Sequence, residues 1–259
     1  EEYEISLDTP PADLEKMRDI ASYASLFDPL KGEYAYAKAD TSWLLGDRET
    51  ADREFVRAIR LNPSRSVFYK RYGLFLSQGG ERDKALDLLE LSMRYDRVDS
   101  DNALEYGALL VYQGQYDKGL KYLKKAAELN KDVISQVLTT MVISGFSLEQ
   151  MHQAVPDTPE SALKFADFLY NTGEMEKARR QYLHALDLME TAEEVNRWHV
   201  FYFYSFFMRQ DKISEAMDVM KRGEDLLPYD PRIKIALGDL YEKQGVLYKA
   251  KDKYEQALI

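Results

Sequence analysis

The stretch Ala51–Pro63, which reads ADREFVRAIRLNP, decides the fold of this chain. Its apolar or small residues fall at Ala51, Phe55 and Ala58, so they lie on one face of a helix. Pro63 follows and disfavours helical backbone at the residue before it. The stretch therefore predicts a short amphipathic helix with a defined end.

The same spacing occurs seven times along the chain. Its opening residues are Met17, Ala51, Ala85, Gly119, Ala178, Ala216 and Ala250. The intervals between them are 34, 34, 34, 59, 38 and 34 residues. A period of 34 residues is typical of a solenoid built from helix-turn-helix units. It favours a binding scaffold over an enzyme.

Each full unit also carries a small residue twelve positions before its opener and a glycine five positions before it. The small residues are Ala39, Gly73, Gly107, Ala166 and Gly238. The glycines are Gly46, Gly80, Gly114, Gly173 and Gly245. Small residues let two helices cross closely, and glycine accepts the positive φ at a helix C-terminus. The pattern predicts antiparallel helix pairs, and no stretch predicts a sheet.

Two irregular intervals divide the predicted array. We expect an extended segment at 1–11, an N-terminal array at 12–131 (a half repeat plus three repeats), and an irregular short helix pair at 132–158 around Gly145, with Ser147 as N-cap. A C-terminal array of three repeats, the last truncated, follows at 159–259. The irregular places predict either a change of curvature or an interface, or else simple sequence drift. The start at Glu1 and the end at Ile259 suggest a fragment of a longer protein; a capping helix at 12–27 is the alternative.

Composition narrows the function classes. The formal net charge of −10 disfavours binding to nucleic acid or to anionic lipid. There is no cysteine and no apolar run near 18 residues, so we expect no disulfide and no membrane insertion by this segment. The nucleotide-binding and serine-hydrolase motifs are absent, and the three histidines form no ligand pair. We therefore expect no catalytic residues, no metal and no cofactor.

The repeats resemble the tetratricopeptide repeat. One repeat shows the pattern at Tyr69, Tyr72-Gly73, Leu76, Gly80, Ala85-Leu86, Leu89 and Ser92. The resemblance implies an all-α, right-handed superhelical solenoid with about six motifs plus one irregular helix pair. It also implies a protein or peptide partner, bound in a concave groove by side chains of the first helices.

By the family's positions, ten groove residues are candidates for partner binding. They are Tyr36, Asp40, Trp43, Lys70, Tyr112, Asp167, Tyr170, Phe201, Met208 and Asp239. Family members that bind chaperone C-terminal carboxylates have paired Asn in the groove. The corresponding positions here hold Asp40, Leu74, Ala108, Asp167, Ser205 and Asp239. Carboxylates there would repel such a ligand, so we predict that this chain is not a chaperone-tail receptor.

The stretch 198–207, WHVFYFYSFF, contains seven aromatic residues. A helix that is apolar all round must be covered on more than one side. Two interpretations remain open: a helix wedged between its neighbours, or an exposed aromatic strip for a peptide, a partner helix or a sugar.

A narrower resemblance connects the chain to the soluble tails of bacterial O-antigen ligase or polymerase proteins. It is based on 27–30 (FDPL) leading into Glu33-Tyr34, on 145–149 (GFSLE), and on Val155-Pro156. It implies an alternative function as a glycan-binding or accessory domain of a membrane enzyme, without that enzyme's catalytic residues. The periplasmic side of the inner membrane would then be the location, with the cytoplasm as the alternative.

Overall fold

The computed structural model describes residues 9–192 and 195–258, and within them every regular element is helical. Residues 1–8 of the predicted extended segment and the Glu193-Glu194 pair lie outside the described residues. The helices are α1 (Pro11–Phe27), α2 (Gly32–Leu44), α3 (Arg48–Leu61), α4 (Ser66–Gln78), α5 (Arg82–Tyr95), α6 (Ser100–Tyr112), α7 (Tyr116–Leu129), α8 (Ile134–Ile143), α9 (Leu148–Ala154), α10 (Pro159–Asn171), α11 (Met175–Glu190), α12 (Arg197–Arg209), α13 (Ile213–Leu226), α14 (Pro231–Lys243) and α15 (Leu247–Gln256). A single 3₁₀ turn, Lys131–Val133, precedes α8. The all-α prediction is confirmed.

Six helix pairs have the predicted regular form. They are α2–α3, α4–α5, α6–α7, α10–α11, α12–α13 and α14–α15. The small residues lie where the two helices of a pair cross. An added Cβ on Gly107 would lie 3.2 Å from the carbonyl oxygen of Gly119, and an added Cβ on Gly73 would lie 3.0 Å from Leu89. These crossings leave no room for larger side chains.

The turn inside each regular pair requires a left-handed residue. Gly80 has φ of 85°, and the other predicted turn glycines have φ between 75° and 83°. In α12–α13 the same position holds Asp211, the only described non-glycine residue with positive φ, at 56°. Aspartate tolerates this region better than most side chains but less well than glycine.

The chain divides into two compact units. Unit 1 takes in the described residues up to Val133 together with Thr140–Phe146, and unit 2 takes in Ile134–Thr139 and the described residues from Ser147 onward. The division falls at the short pair α8–α9. Ser147 caps α9 as predicted, and Gln150 completes a capping box with it. The predicted domain boundaries at 131 and 158 remain a proposal.

Candidate partner-binding faces

The candidate residues belong to the first helices of the pairs: α2, α4 and α6 in unit 1, and α10, α12 and α14 in unit 2. Nine of the ten candidates occupy the fifth, ninth or twelfth position of their helix, and these positions share one side because they are three or four residues apart. Tyr112 is the exception, since it is the thirteenth residue of α6. We call this side the first-helix face of each unit.

Asp40 and Trp43 in unit 1 are held by the neighbouring helix α4. Asp40 is 2% exposed, and its carboxylate accepts a hydrogen bond from Arg71 Nε at 2.8 Å and a second from Nη2. Burial raises the pKa of Asp40 above its usual value, although the Arg71 guanidinium opposes that shift. Trp43 donates from Nε1 to Gln78 at 3.1 Å, and the same guanidinium lies 4.8 Å from its ring centre.

The other unit 1 candidates also have partners within the unit. Lys70 Nζ lies 3.2 Å from Asp99 Oδ2. Tyr36 stacks on buried Phe68, with ring centres 5.0 Å apart. Tyr112 is well exposed, but its hydroxyl accepts a hydrogen bond from Arg82 and its ring lies under that guanidinium. The structure therefore brings these residues into contacts between helices rather than leaving them free.

The two aspartates of unit 2 form a recurring contact inside a repeat. Asp167 on α10 accepts a hydrogen bond from Tyr182 on α11, and Asp239 on α14 accepts one from Tyr254 on α15 at 2.8 Å. In both cases the tyrosine is 15 residues further along the chain. Burial and the adjacent carboxylate raise the pKa of the Tyr182 hydroxyl, which keeps its proton for this bond.

The aromatic stretch on α12 is divided between core and surface, so each interpretation holds for part of it. Val200, Phe203, Phe206 and Phe207 are fully buried, and Phe206 packs against Tyr182 with ring centres 4.0 Å apart. Trp198 and Tyr202, four residues apart on the opposite side, remain 65% and 41% exposed. Helical periodicity places the buried and the exposed aromatic residues on opposite sides of α12, and the aromatic composition of the stretch does not show which residues lie on which side.

The remaining candidates of unit 2 are half-buried. Tyr170 lies edge-on to Phe206 with ring centres 5.5 Å apart, and Phe201 and Met208 lie on α12. Beyond the candidate positions, Trp198 and Tyr202 of α12 and Ile235 of α14 are more exposed than any of these three. Arg232 on α14 lies over the Trp198 ring at 5.6 Å, so the two helices expose these side chains side by side.

Sequence reasoning did not identify the two arginines that contact candidate residues of unit 1. Arg71 and Arg82 lie outside the fifth, ninth and twelfth positions, and only the fold places them against Asp40 and Tyr112. Among the described residues, no group of three or more His, Cys, Asp or Glu side chains is arranged to hold a metal ion. In the same part of the chain, no helix is long and apolar enough to cross a membrane.

Comparison with protein families agrees with this geometry. The model of the tetratricopeptide repeat matches residues 32–65 and 102–133, which correspond to the pairs α2–α3 and α6–α7. Two segments of this chain therefore match the tetratricopeptide repeat. The matched family describes the repeat alone, so the resemblance to O-antigen ligase tails remains a prediction. The comparison with curated proteins gave no match.

Several solved structures are similar to the chain. Yeast Tom70 is 18% identical, with a TM-score of 0.45, and the match covers 95% of this chain and 55% of Tom70. Pseudomonas aeruginosa pilF is also 18% identical, with a TM-score of 0.45 and coverage of 84% and 86%. YrrB, described as having an unusual peptide-binding site, is 16% identical with a TM-score of 0.34 and coverage of 79% and 90%. The chain thus spans about half the length of Tom70.

Proposed function

We propose that this tetratricopeptide-repeat chain is a non-catalytic interaction scaffold that binds a peptide or a segment of a partner protein. The observation that carries the proposal is the exposed surface of α12 and α14 in unit 2. We call it the α12–α14 face, and it consists of Trp198, Tyr202, Ser205, Ile235 and Asp239.

Three large apolar side chains on this face keep much of their surface exposed, although Arg232 lies over the Trp198 ring. Trp198, Tyr202 and Ile235 are 65%, 41% and 45% exposed. Aromatic anchors dominate the binding energy of many protein interfaces, because they bury a large area with few rotatable bonds. Asp239 lies beside Ile235 on the same helix and keeps an exposed carboxylate while it accepts from Tyr254. An apolar segment that carries hydrogen-bond donors would suit this face.

The unit 1 face supports a partner less well. Asp40, Trp43 and Lys70 already pair with neighbouring helices, and a ligand would have to replace those contacts. Replacing a satisfied hydrogen bond gives little net free energy. A role in partner binding remains a proposal for the predicted residues of both units. We place the unit 2 residues ahead of the unit 1 residues as candidates.

Selection of random peptides displayed on phage tests the proposal, with the intact chain as bait. The selected peptides should be rich in apolar residues. Their binding should be lost when Trp198, Tyr202 and Ile235 are replaced by Ala together, while the helical circular dichroism signal is kept. The matched control replaces Tyr36, Lys70 and Tyr112 by Ala.

The two tryptophans give a direct readout of binding, since the chain has one in each unit. In a Trp43→Phe background, a bound peptide should shift the emission of Trp198. Peptides that bind the α12–α14 variant as tightly as the wild type would contradict the α12–α14 assignment. Failure to select any peptide would count against peptide binding altogether.

A further inference from the structure

Unit 1 contains a pocket on a surface separate from its first-helix face. Its volume is about 310 Å³, and it opens between α3, α4 and α5. The lining residues are Arg48, Glu49, Asp52, Tyr72, Phe75, Leu76, Glu81 and Lys84. None of the partner-binding candidates lines it, so the pocket goes beyond the proposed function.

One wall of the pocket is aromatic. The rings of Tyr72 and Phe75 are nearly parallel, with an interplanar angle of 22° and centres 6.1 Å apart. The guanidinium carbon of Arg48 lies 4.6 Å from the centre of the Phe75 ring. A Cβ added to Gly79 would lie 2.2 Å from Arg48 Nη2, so the bare backbone of Gly79 makes room for this arrangement. Arg48 therefore covers the Phe75 ring, which is 2% exposed, and the half-buried Tyr72 ring is the part of the wall that a ligand can reach.

The charges around the pocket favour a further cation. Three carboxylates, Glu49, Asp52 and Glu81, line it together with two basic side chains. Lys84 Nζ forms an ion pair with Glu81 Oε2 at 2.6 Å. The Arg48 side chain makes no hydrogen bond or ion pair with any described residue and lies over Phe75 instead.

The two carboxylates on α3 are the groups available to a ligand. Glu49 and Asp52 are three residues apart, so they lie on one side of the helix. Asp52 accepts a hydrogen bond from the Tyr72 hydroxyl at 2.8 Å, which fixes its carboxylate and leaves its other lone pairs open. Among the described residues, the Glu49 side chain has no hydrogen-bond or ion-pair partner.

We propose that this pocket binds an arginine side chain of a partner protein. The planar guanidinium would lie against the Tyr72 ring and donate to Glu49 and Asp52. Arginine suits the pocket better than lysine, because a flat, weakly hydrated cation stacks on rings and donates in a fork that matches carboxylates.

Titration of the intact chain with N-acetyl-L-arginine methylamide tests the proposal. Binding should be on the order of millimolar, because one side chain supplies few contacts. It should perturb the NMR signals of Tyr72, Phe75 and Leu76. Blocked lysine should bind more weakly, and blocked norleucine should not bind. Equal binding of blocked norleucine or lysine would overturn the guanidinium assignment, and tighter binding of free arginine would point to an amino acid ligand instead.

Two variants change the affinity in opposite directions. Glu49→Gln should weaken binding about fivefold, whereas Lys84→Gln should strengthen it about twofold to fivefold by releasing Glu81. A gain in affinity cannot come from damage to the fold. Glu176→Gln is the matched control, since Glu176 holds the same repeat position on α11 and is well exposed. An unchanged affinity in Glu49→Gln, or a fall in Lys84→Gln, would overturn the proposal.

Discussion

The first-helix faces of the two units use their side chains differently. In unit 1, contacts between successive first helices engage them: Arg71 of α4 holds Asp40 of α2, and Gln78 of α4 accepts from Trp43. In unit 2 the aspartates are engaged within their own repeats, while Trp198, which lies under Arg232, and Ile235 remain largely exposed. First helices can therefore direct similar side chains either to internal contacts or to the surface. The face whose apolar side chains are exposed has more to gain from a partner.

The largest expected effect is at the buried ion pair of unit 1. Arg71→Met should lower the free energy of unfolding by about 3 kcal/mol, because it leaves the Asp40 carboxylate buried without a cation. Arg94→Met, which removes the exposed partner of Glu90, should cost less than about 1 kcal/mol. Urea unfolding followed by Trp43 fluorescence in a Trp198→Phe background reports the change.

A double variant separates this pair from simple loss of packing. Adding Asp40→Leu to Arg71→Met should restore part of the lost stability, because no charge then remains buried. If Arg71→Met cost no more than Arg94→Met, the buried pair would not stabilise unit 1 more than an exposed pair does.

The two tryptophans should differ in how much they contribute to stability. Trp43→Ala should destabilise the fold by about 2 kcal/mol, because the ring packs edge-on against Phe55 and Phe75. Trp198→Ala should cost less than about 1 kcal/mol, since most of that ring is exposed. Urea unfolding monitored by circular dichroism measures both. Equal losses would show that Trp198 is a structural residue and would remove the main support for the α12–α14 face.

The turns should differ in the opposite sense. Asp211→Gly in unit 2 should stabilise the protein by about 0.5 to 1 kcal/mol, because glycine accepts the left-handed backbone without strain. Gly80→Ala at the equivalent turn of unit 1 should destabilise it by about 1 kcal/mol. The midpoint of thermal unfolding should rise in Asp211→Gly and fall in Gly80→Ala. A loss of stability in Asp211→Gly would mean that the Asp side chain itself supports the turn.

The smallest effect concerns pH and the histidines, all three of which lie in unit 2. Burial, and then the nearby His184, lower the pKa of His152 below its usual value of 6.5. The unfolded chain therefore binds this proton more readily than the folded chain, and stability should fall as the pH drops below about 6.5. Trp198 fluorescence should report a lower midpoint at about pH 5 than at about pH 7. His152→Gln should flatten this dependence, and an unchanged slope would rule out His152 as its cause.

The sequence by itself determined the repeat architecture. The 34-residue period, the turn glycines and the small crossing residues are local features, because a helix, its end and its close neighbour are separated by few residues. Each of them was found where the spacing placed it, down to the capping residue Ser147.

Only the tertiary structure decided which side chains are free. Asp40 and Arg71 are 31 residues apart in the sequence, and Trp43 and Gln78 are 35 residues apart. Whether such residues meet depends on how one helix pair packs on the next, and the same repeat position can face a cation, a tyrosine or solvent. The aromatic run on α12 shows this most clearly, because its composition alone did not separate the buried Phe203 from the exposed Trp198.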